Sequence, residues 1–382
     1  NIVRKYLSIT LGILSFFIKK KEKLIIITAD RYNENSKYLF EYLVNKKDID
    51  VIWLTNNIKI KKYLDSKSLP CVYGKLKALF YVMRCKIIIS SGSKISYLGI
   101  SKNTIKYTLW HGAGVKTTEY SNNFANTVKI LDDINYFDYI NFTSKFTSNF
   151  VAKAVMKIPT NKIVINGYPR YDQLIDKKND KEIHNLKLYY ISNLKLPEKI
   201  NINTKFIIYT PTWRINDRKN FFPLLNMKGF EIEKFNKFLK DNNFFLLYTT
   251  HPNSIGYNIN QSNIFYLNYN KLPLFDLTNF MLVCDILIND YSTTSLDFTL
   301  LNKKQITVAF DFDNYLTHDG ILEDDARNLP GNIIYNYDEL IKELINEFDI
   351  KSNNNLISKY YDMSINNSCH KNYEFIKKIL NS

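Results

Sequence analysis

Cysteine is scarce in this chain of 382 residues. The four cysteines lie far apart, and no two of them form a CxxC pair. Zinc sites and disulfide scaffolds need clustered or paired cysteines, so this spacing disfavours both and fits a reducing cytosol. We therefore expect no metal site and no cysteine nucleophile. The cysteines are Cys71, Cys85, Cys284 and Cys369.

A hydrophobic run long enough to cross a bilayer is also lacking. The N-terminal apolar run, residues 6–18 (YLSITLGILSFFI), is too short to span easily, and basic residues flank it at 4–5 and 19–21. It has the outline of a signal peptide, but no small-residue cleavage site follows. An in-plane membrane anchor with a basic collar fits better, and a helix packed on the fold is the alternative. The sequence begins at Asn1 rather than Met, which leaves open whether residues precede it.

Acidic residues are outnumbered, 37 against 52 basic ones, for a formal net charge of +15. Such a charge calls for an anionic partner: nucleic acid, an anionic membrane or a phosphorylated substrate. Nucleic acid fits least, because the lysines are scattered and no recognised binding motif appears. Hydrophobic residues make up 45% of the chain, which is ample for packed cores and excludes a disordered protein.

From residue 24 onward, short apolar strands alternate with amphipathic helices, which predicts doubly wound parallel sheets. The rhythm pauses in a polar stretch at 176–204 and then restarts. We expect a membrane-associating segment at 1–22 and two Rossmann-like domains at 23–195 and 196–382, facing a cleft as in the GT-B architecture. The expected strands are 24–28, 51–54, 87–90, 107–110, 139–142, 162–165, 206–209, 244–249, 264–267, 286–288 and 306–309. The expected helices are 35–45, 75–84, 144–156, 231–241, 274–282, 337–348 and 372–380.

The stretch 284–301, CDILINDYSTTSLDFTLL, joins a buried strand to a helix through a polar turn. The turn, 289–294, is rich in hydroxyl groups and in good N-cap residues. Backbone N–H groups and the helix dipole converge at such a helix start, so the pattern favours an anion site. An ordinary capped helix is the alternative.

Five residue clusters follow strand ends, where ligands bind in open α/β sheets. They are Trp110-His111-Gly112 with Lys116, Asn166-Gly167-Tyr168-Pro169-Arg170 with Asp172, Tyr209-Thr210-Pro211-Thr212-Trp213-Arg214, Thr249-Thr250-His251-Pro252, and Asp290-Tyr291-Ser292. In this order and spacing, over roughly residues 24–330, the chain resembles the CDP-glycerol glycerophosphotransferase family of teichoic-acid and capsule enzymes. The resemblance implies a GT-B fold, membrane association and transfer of a polyol phosphate from a CDP-linked donor, with no cofactor.

Two histidines are the catalytic candidates. His111 follows a strand and precedes a glycine loop, so its ring should be exposed in the cleft, where a neutral imidazole could take the proton of an attacking hydroxyl. His251 lies in the opposite domain and could stabilise the donor diphosphate as CMP leaves. The alternative role for His111 is a structural hydrogen bond. The alternative for His251 is an ordinary histidine in a loop or at a helix cap.

The candidate substrate ligands are Lys116, Arg170, Arg214, Asp290, Ser292, Thr293 and Arg327. Arginine can grip phosphate bidentately and lysine can act as a point charge, while hydroxyl groups in the turn could bind the diphosphate. Two alternatives stay open: Arg170 could instead brace the interdomain turn with Asp172, and Asp290 could orient its loop or bind a ribose or glycerol hydroxyl.

The sequence departs from the family pattern in three places. Ala113-Gly114 replaces the usual Thr-Pro after the WHG motif, and Thr293 replaces a serine but keeps the hydroxyl. The region 318–331, which contains Arg327, matches the family pattern poorly. The identity of the donor polyol is therefore not determined by the motifs.

The first expectation is an enzyme at the cytoplasmic face of the cell membrane, attached peripherally to an anionic surface. It would move glycerol phosphate or a similar group from CDP-glycerol or CDP-ribitol to a lipid-linked saccharide or polyol-phosphate polymer. A GT-B nucleotide-sugar glycosyltransferase or epimerase is the alternative, although these usually carry a Glu-rich donor motif where this chain has Ser and Thr. A non-catalytic membrane-surface protein would not need two histidines across a cleft. The sequence leaves four questions open: which CDP-polyol is the donor, whether the enzyme is a primase or a polymerase, whether the acceptor belongs to wall or capsule, and what the oligomeric state is.

Overall fold

The first part of the chain forms a parallel sheet. The computed structural model describes residues 10–381 apart from 93–94, 96–98, 113–135, 150–156, 177, 213, 215–220, 251–253, 255, 258, 260, 269–270, 319–328, 348–353 and 362–365. The strands of the first sheet are β1 (Lys21–Thr28), β2 (Asp50–Thr55), β3 (Cys71–Tyr73), β4 (Cys85–Ser90), β5 (Ile105–Thr108), β6 (Tyr139–Phe142) and β7 (Ile163–Ile165). Across the described residues they lie in the order β3-β2-β1-β4-β5-β6-β7, so the order reverses between β1 and β4.

The second sheet repeats this plan. Its strands are β8 (Lys205–Thr210), β9 (Phe244–Thr249), β10 (Ile264–Leu267), β11 (Ile286–Asn289), β12 (Lys304–Val308) and β13 (Asn332–Ile334). They lie in the order β10-β9-β8-β11-β12-β13, with the described neighbours all parallel. The order reverses between β8 and β11, which pair Thr210 with Asn289 at their carboxyl ends. The two-domain, GT-B-like fold expected from the sequence is confirmed.

The strands are nearly continuous apolar runs because helices cover both faces of each sheet. In β1, for example, the residues from Leu24 to Thr28 are all buried. The helices are α1 (Glu34–Val44), α2 (Ile58–Ser66), α3 (Lys75–Arg84), α4 (Pro169–Ile175), α5 (Asp180–Asn193), α6 (Ile232–Asp241), α7 (Leu277–Val283), α8 (Thr294–Thr299), α9 (Phe312–His318), α10 (Tyr337–Ile345), α11 (Asn354–Tyr360) and α12 (Ser368–Leu380).

The last helix returns to the first sheet. Tyr373, Ile376 and Ile379 of α12 belong to the same buried cluster as the residues of β1 and β2. The Tyr373 hydroxyl donates to the Asp48 carboxylate at 2.8 and 2.9 Å. The domain bounds 23–195 and 196–382 stay a prediction, and α12 packs on the first sheet although it lies in the second of these ranges.

Several expected elements end elsewhere, for local reasons. The strand expected at 107–110 stops at Thr108, because Trp110 has a φ of +55°, which no strand residue adopts. The helix expected at 274–282 starts at Leu277, because the Asp276 carboxylate accepts from the N–H groups of Thr278 and Asn279 and caps it. Of the helix expected at 144–156, residues 145–149 are helical and 150–156 lie outside the described residues. The sequence did not predict the short elements β3, β13, α2, α4, α9 and α11.

Candidate active site

The reversal of strand order in the second sheet brings two of the sequence motifs together. The loops after β8 and β11 start side by side, and Thr210 Oγ1 donates to Asn289 Oδ1 at 3.0 Å. Beyond them, the Thr212 N–H donates to both carboxylate oxygens of Asp290, at 2.8 and 2.9 Å. A switch point of this kind is where ligands bind in doubly wound sheets. Asp290 is buried, and its carboxylate links the two loops. This contact favours the expected role of orienting its loop over binding a ribose or glycerol hydroxyl.

Arg214 lies in the same place, between two carboxylates. Its Nη1 is 3.0 Å from Asp290 Oδ2, and its Nε donates to Asp311 Oδ2 at 3.0 Å. Burial alone would lower the pKa of the Arg214 guanidinium, but Asp290 and Asp311 raise it above its ordinary value. Nη1 also donates to the Thr212 carbonyl at 2.7 Å. The guanidinium is thus already engaged with carboxylates, and this geometry favours positioning of the loops over a free phosphate grip.

The Ser292–Thr293 turn carries the hydroxyl groups that the sequence assigned to the donor. Ser292 Oγ donates to Thr294 Oγ1 at 3.2 Å, and Ser295 Oγ donates to the Ser292 carbonyl at 2.7 Å. Thr293 precedes α8 without a side-chain capping bond, and both Ser292 and Thr293 are partly exposed. The hydroxyl of Thr293 faces the other domain, since a Cβ added at Gly112 would lie 3.6 Å from Thr293 Oγ1.

His111 stands next to that contact. Its residue is exposed, and its Nδ1 lies 3.3 Å from the Ser91 carbonyl oxygen. A carbonyl oxygen only accepts, so in the neutral imidazole this hydrogen bond places the proton on Nδ1 and the lone pair on Nε2. The strained Trp110 backbone turns the chain sharply just before it. The arrangement can take up a proton at Nε2.

Three consecutive carbonyl groups of the His111 loop are each held by a buried side chain. Asn35 Nδ2 donates to the Trp110 carbonyl at 2.7 Å, Arg170 Nη2 to the His111 carbonyl at 3.0 Å, and the Tyr168 hydroxyl to the Gly112 carbonyl at 2.9 Å. Hydrogen bonds of this kind preorganise a loop before substrate arrives. Sequence reasoning missed Asn35 and Tyr168 as supports, because nothing in their local pattern shows a contact so distant along the chain.

Arg170, like Arg214, is engaged with a carboxylate, although its buried Nη1 has no hydrogen-bond partner among the described residues. It forms an ion pair with Asp297 of α8, at 2.8 Å from Nε to Oδ2, rather than with Asp172. The Asp172 carboxylate instead accepts from the N–H groups of Ser368 and Cys369. Arg170 thus braces the interdomain turn, which was the open alternative, but through a different partner. The remaining site candidates, Lys116, His251 and Arg327, lie outside the described residues.

The comparison with protein families settles what kind of protein carries this site. The family model of CDP-glycerol:poly(glycerophosphate) glycerophosphotransferase matches residues 11–377. The chain belongs to this family. The resemblance seen in the motifs is confirmed, and the protein is a transferase enzyme.

Curated relatives of the family match most of the chain. The teichoic acid glycerol-phosphate transferase of Staphylococcus aureus (strain NCTC 8325 / PS 47) is 26% identical over 331 residues, covering 82% of this chain and 80% of that protein. The teichoic acid poly(glycerol phosphate) polymerase of Bacillus spizizenii (strain ATCC 23059 / NRRL B-14472 / W23) is 24% identical, covering 94% of each. Other relatives are named as ribitol-phosphate polymerases, so the relatives differ in the polyol that their names give.

Solved structures support the fold. The wall teichoic acid polymerase TagF superposes with a TM-score of 0.74 at 22% identity, covering 100% of this chain and 95% of that one. The structure of MnaA with UDP from S. aureus superposes with a TM-score of 0.56 at 13% identity, covering 94% and 97%. At such identities these likenesses establish the shared two-domain fold.

Proposed function

We infer that this protein transfers glycerol phosphate, or another polyol phosphate, from a CDP-polyol to a lipid-linked saccharide or polyol-phosphate polymer in teichoic acid or capsule synthesis. The observation that carries the proposal is the contact of the His111 loop with the Ser292–Thr293 turn across the two domains. It brings a proton acceptor from one domain beside a hydroxyl-rich turn from the other. Family membership and the teichoic-acid transferases among its relatives support the same reaction class.

In the proposed reaction the acceptor hydroxyl attacks the phosphorus nearest the polyol. A new O–P bond forms, the P–O bond to the CMP phosphate breaks, and CMP leaves with the electron pair. His111 Nε2 takes the hydroxyl proton, since a hydroxyl group that keeps its proton is a poor nucleophile. No covalent enzyme intermediate is required.

The donor would lie over the second domain. Ser292 and Thr293 would bind the diphosphate through hydroxyl and backbone N–H groups, and His251, Lys116 and Arg327 would add positive or hydrogen-bonding groups. We propose that Arg214 and Asp290 hold the two loops in place, a role that their ion pair supports. Both arginines, Arg170 and Arg214, then act on substrate through the residues that they hold.

A second part of the proposal concerns attachment to the cytoplasmic face of the membrane. Residues 10–16 are helical, and Phe17, just after them, is 80% exposed. This segment packs near the end of α3, since Ser15 Oγ donates to the Met83 carbonyl at 3.2 Å. On α3 itself, Leu76 is 86% exposed and Phe80 is 56% exposed, among basic residues. Exposed apolar side chains in a basic setting fit an anionic lipid surface.

Among the helices of the described residues, none is both long and apolar enough to cross a bilayer. The proposed attachment is therefore in the plane of the surface, and it uses the side chains just named.

The deciding experiment measures CMP release by the purified protein. CDP-glycerol and CDP-ribitol are each supplied with a lipid-linked saccharide acceptor, and UDP-N-acetylglucosamine serves as the nucleotide-sugar control. Acceptor-dependent CMP release from one of the CDP-polyols is expected. Release of UDP from the control, without CMP release from either CDP-polyol, would instead establish the glycosyltransferase or epimerase alternative.

A further inference from the structure

Arg170 joins the two domains at the active site. It lies in the first turn of α4 in the first domain, whereas its partner Asp297 lies on α8 in the second. The pair is bidentate, with Nε donating to Oδ2 at 2.8 Å and Nη2 donating to Oδ1 at 3.1 Å. The Arg170 side chain is 5% exposed and that of Asp297 is 11% exposed. The pair is therefore shielded from solvent and little screened by salt.

The same guanidinium also holds the catalytic loop. Arg170 Nη2 donates to the His111 carbonyl at 3.0 Å while it contacts Asp297. Asn35 strengthens the link, because its side chain accepts from the Arg170 N–H and donates to the Trp110 carbonyl. A single side chain thus touches the loop that presents His111 and the helix that follows the Ser292–Thr293 turn.

The surroundings fix the guanidinium in one orientation. Its central carbon lies 4.8 Å from the ring centre of Tyr168 and 5.2 Å from that of Tyr171. Burial opposes the charge, and the Asp297 carboxylate compensates for it. A lysine at this position would keep the charge, but its single ammonium group cannot reproduce the planar fork.

We propose that Arg170 is a positioning residue, which sets the distance between the His111 ring and the Ser292–Thr293 turn by binding the His111 carbonyl and Asp297 at once. This inference rests on the proposed function, in which a proton leaves the acceptor at His111 while the donor sits at that turn. Arg170 itself contacts neither substrate. Its effect is on the alignment of groups contributed by two domains, where a displacement of about 1 Å can cost 10²-fold in rate.

Three variants test the proposal: Arg170→Lys, Asp297→Asn and the double variant. Each single change disrupts the bidentate pair of Arg170 and Asp297. We therefore expect turnover to fall by about 10²-fold, with the affinity for CDP-polyol within about threefold of wild type. The double variant should lose little more than the worse single variant, because the two residues act as a unit. If Arg170→Lys does not fold, Asp297→Asn carries the same comparison.

A second readout does not depend on the reaction. Nuclear magnetic resonance spectra of the His111 ring, assigned with His111→Ala, report whether its Nδ1 contact with Ser91 is kept. We expect the ring signals of His111 to change in Arg170→Lys and in Asp297→Asn, because both variants disturb the side chain that holds the His111 carbonyl. This measurement can be made even if the wild-type protein releases no CMP. A failure of the proposed function is therefore distinguishable from a failure of the proposed positioning role of Arg170.

The chain offers a matched control pair. Lys37 and Asp276 form another buried interdomain ion pair, at 2.6 Å, and among the described residues neither side chain hydrogen-bonds to the His111 loop or to α8. Lys37→Met should lower thermal stability but leave the ring signals of His111 unchanged. Equal effects of Lys37→Met and Arg170→Lys on those signals would overturn the proposal. So would Arg170→Lys weakening CDP-polyol binding while Asp297→Asn leaves it intact, since that pattern marks a direct phosphate ligand.

Discussion

Asp172 caps a helix that begins 196 residues later in the chain: its Oδ1 accepts from the Ser368 N–H at 2.7 Å. Its Oδ2 accepts from the Cys369 N–H at 2.8 Å. Gly167 lies against the same point, because a Cβ there would come within 2.4 Å of Ser368 Oγ. The motif that contains Gly167, Arg170 and Asp172 therefore contacts three other parts of the molecule, namely α12, the His111 loop and α8.

Asp172→Ala should lower the free energy of unfolding by about 1 to 2 kcal/mol, because two N–H groups of α12 lose their acceptor. Urea denaturation and hydrogen exchange of α12 measure this. Asn179→Ala, which removes the capping box of α5, is the matched control. It should destabilise the protein without exposing α12 to exchange. Unchanged exchange of α12 in Asp172→Ala would show that the cap contributes nothing there.

His111→Ala should lower turnover by about 10² to 10⁴, the usual contribution of a general base, while donor affinity stays nearly intact. His251→Ala should damage both, since its proposed partner is the diphosphate. His184→Ala, on the exposed face of α5, is the control and should change neither. Turnover and CDP-polyol affinity are measured for all three. Near-normal turnover of His111→Ala with saturating acceptor would contradict the assignment of the base.

Arg214→Ala should weaken CDP-polyol binding indirectly, because it leaves the buried Asp290 and the partly buried Asp311 without their cation. Breaking such a pair costs about 3 to 5 kcal/mol of stability, which thermal denaturation reports alongside calorimetry of the donor. Asp311→Asn separates the two possible roles of the arginine. It should also weaken donor binding if Arg214 positions the loops. Tighter binding in Asp311→Asn would show that the released guanidinium grips phosphate directly.

The paired change Phe17→Ser and Leu76→Ser should reduce sedimentation with vesicles that contain phosphatidylglycerol, because both side chains are exposed on the proposed membrane surface. Binding of the wild type should also weaken as salt rises. Ile345→Ser is the control, since Ile345 is equally apolar and 59% exposed but lies on α10 of the second domain. Equal losses in both variants would place the lipid contact elsewhere.

Two cysteines give a test of pH dependence. Burial raises the pKa of the Cys71 thiol to about 11 and that of Cys85 to about 12, so both are protonated at neutral pH. Alkylation by iodoacetamide needs the thiolate, and labelling of the half-buried Cys71 should therefore accelerate as pH rises above 8. Cys85 should react after unfolding in urea. Rapid labelling of either thiol at pH 7 in the folded protein would contradict these pKa directions.

Local pattern was sufficient to predict the strands other than β3 and β13, together with the motifs at their carboxyl ends. Apolar runs such as Ile286–Asn289 can only be buried, and the polar residues after them must then lie at one edge of the sheet. The expected function class followed from the same clusters, since their order and spacing were specific to the family.

The partners of the charged residues could not be predicted in this way. Arg170 and Asp297 are 127 residues apart, and Arg214 and Asp311 are 97 apart, so no local periodicity links them. Both arginines looked like phosphate ligands because only their own motifs were visible. Two of the carboxylates that engage them, Asp297 and Asp311, lie outside the five motif clusters, and only Asp290, the other partner of Arg214, belongs to one.

The return of α12 to the first sheet has a consequence for how the protein is made. Tyr373, Ile376 and Ile379 complete the buried cluster that β1 and β2 begin, so the domain translated first stays open on one side until residues 368–380 have left the ribosome. A ribosome-bound chain truncated before Ser368 would expose that apolar face to chaperones. The first domain can therefore complete its hydrophobic core only after the second domain has been translated.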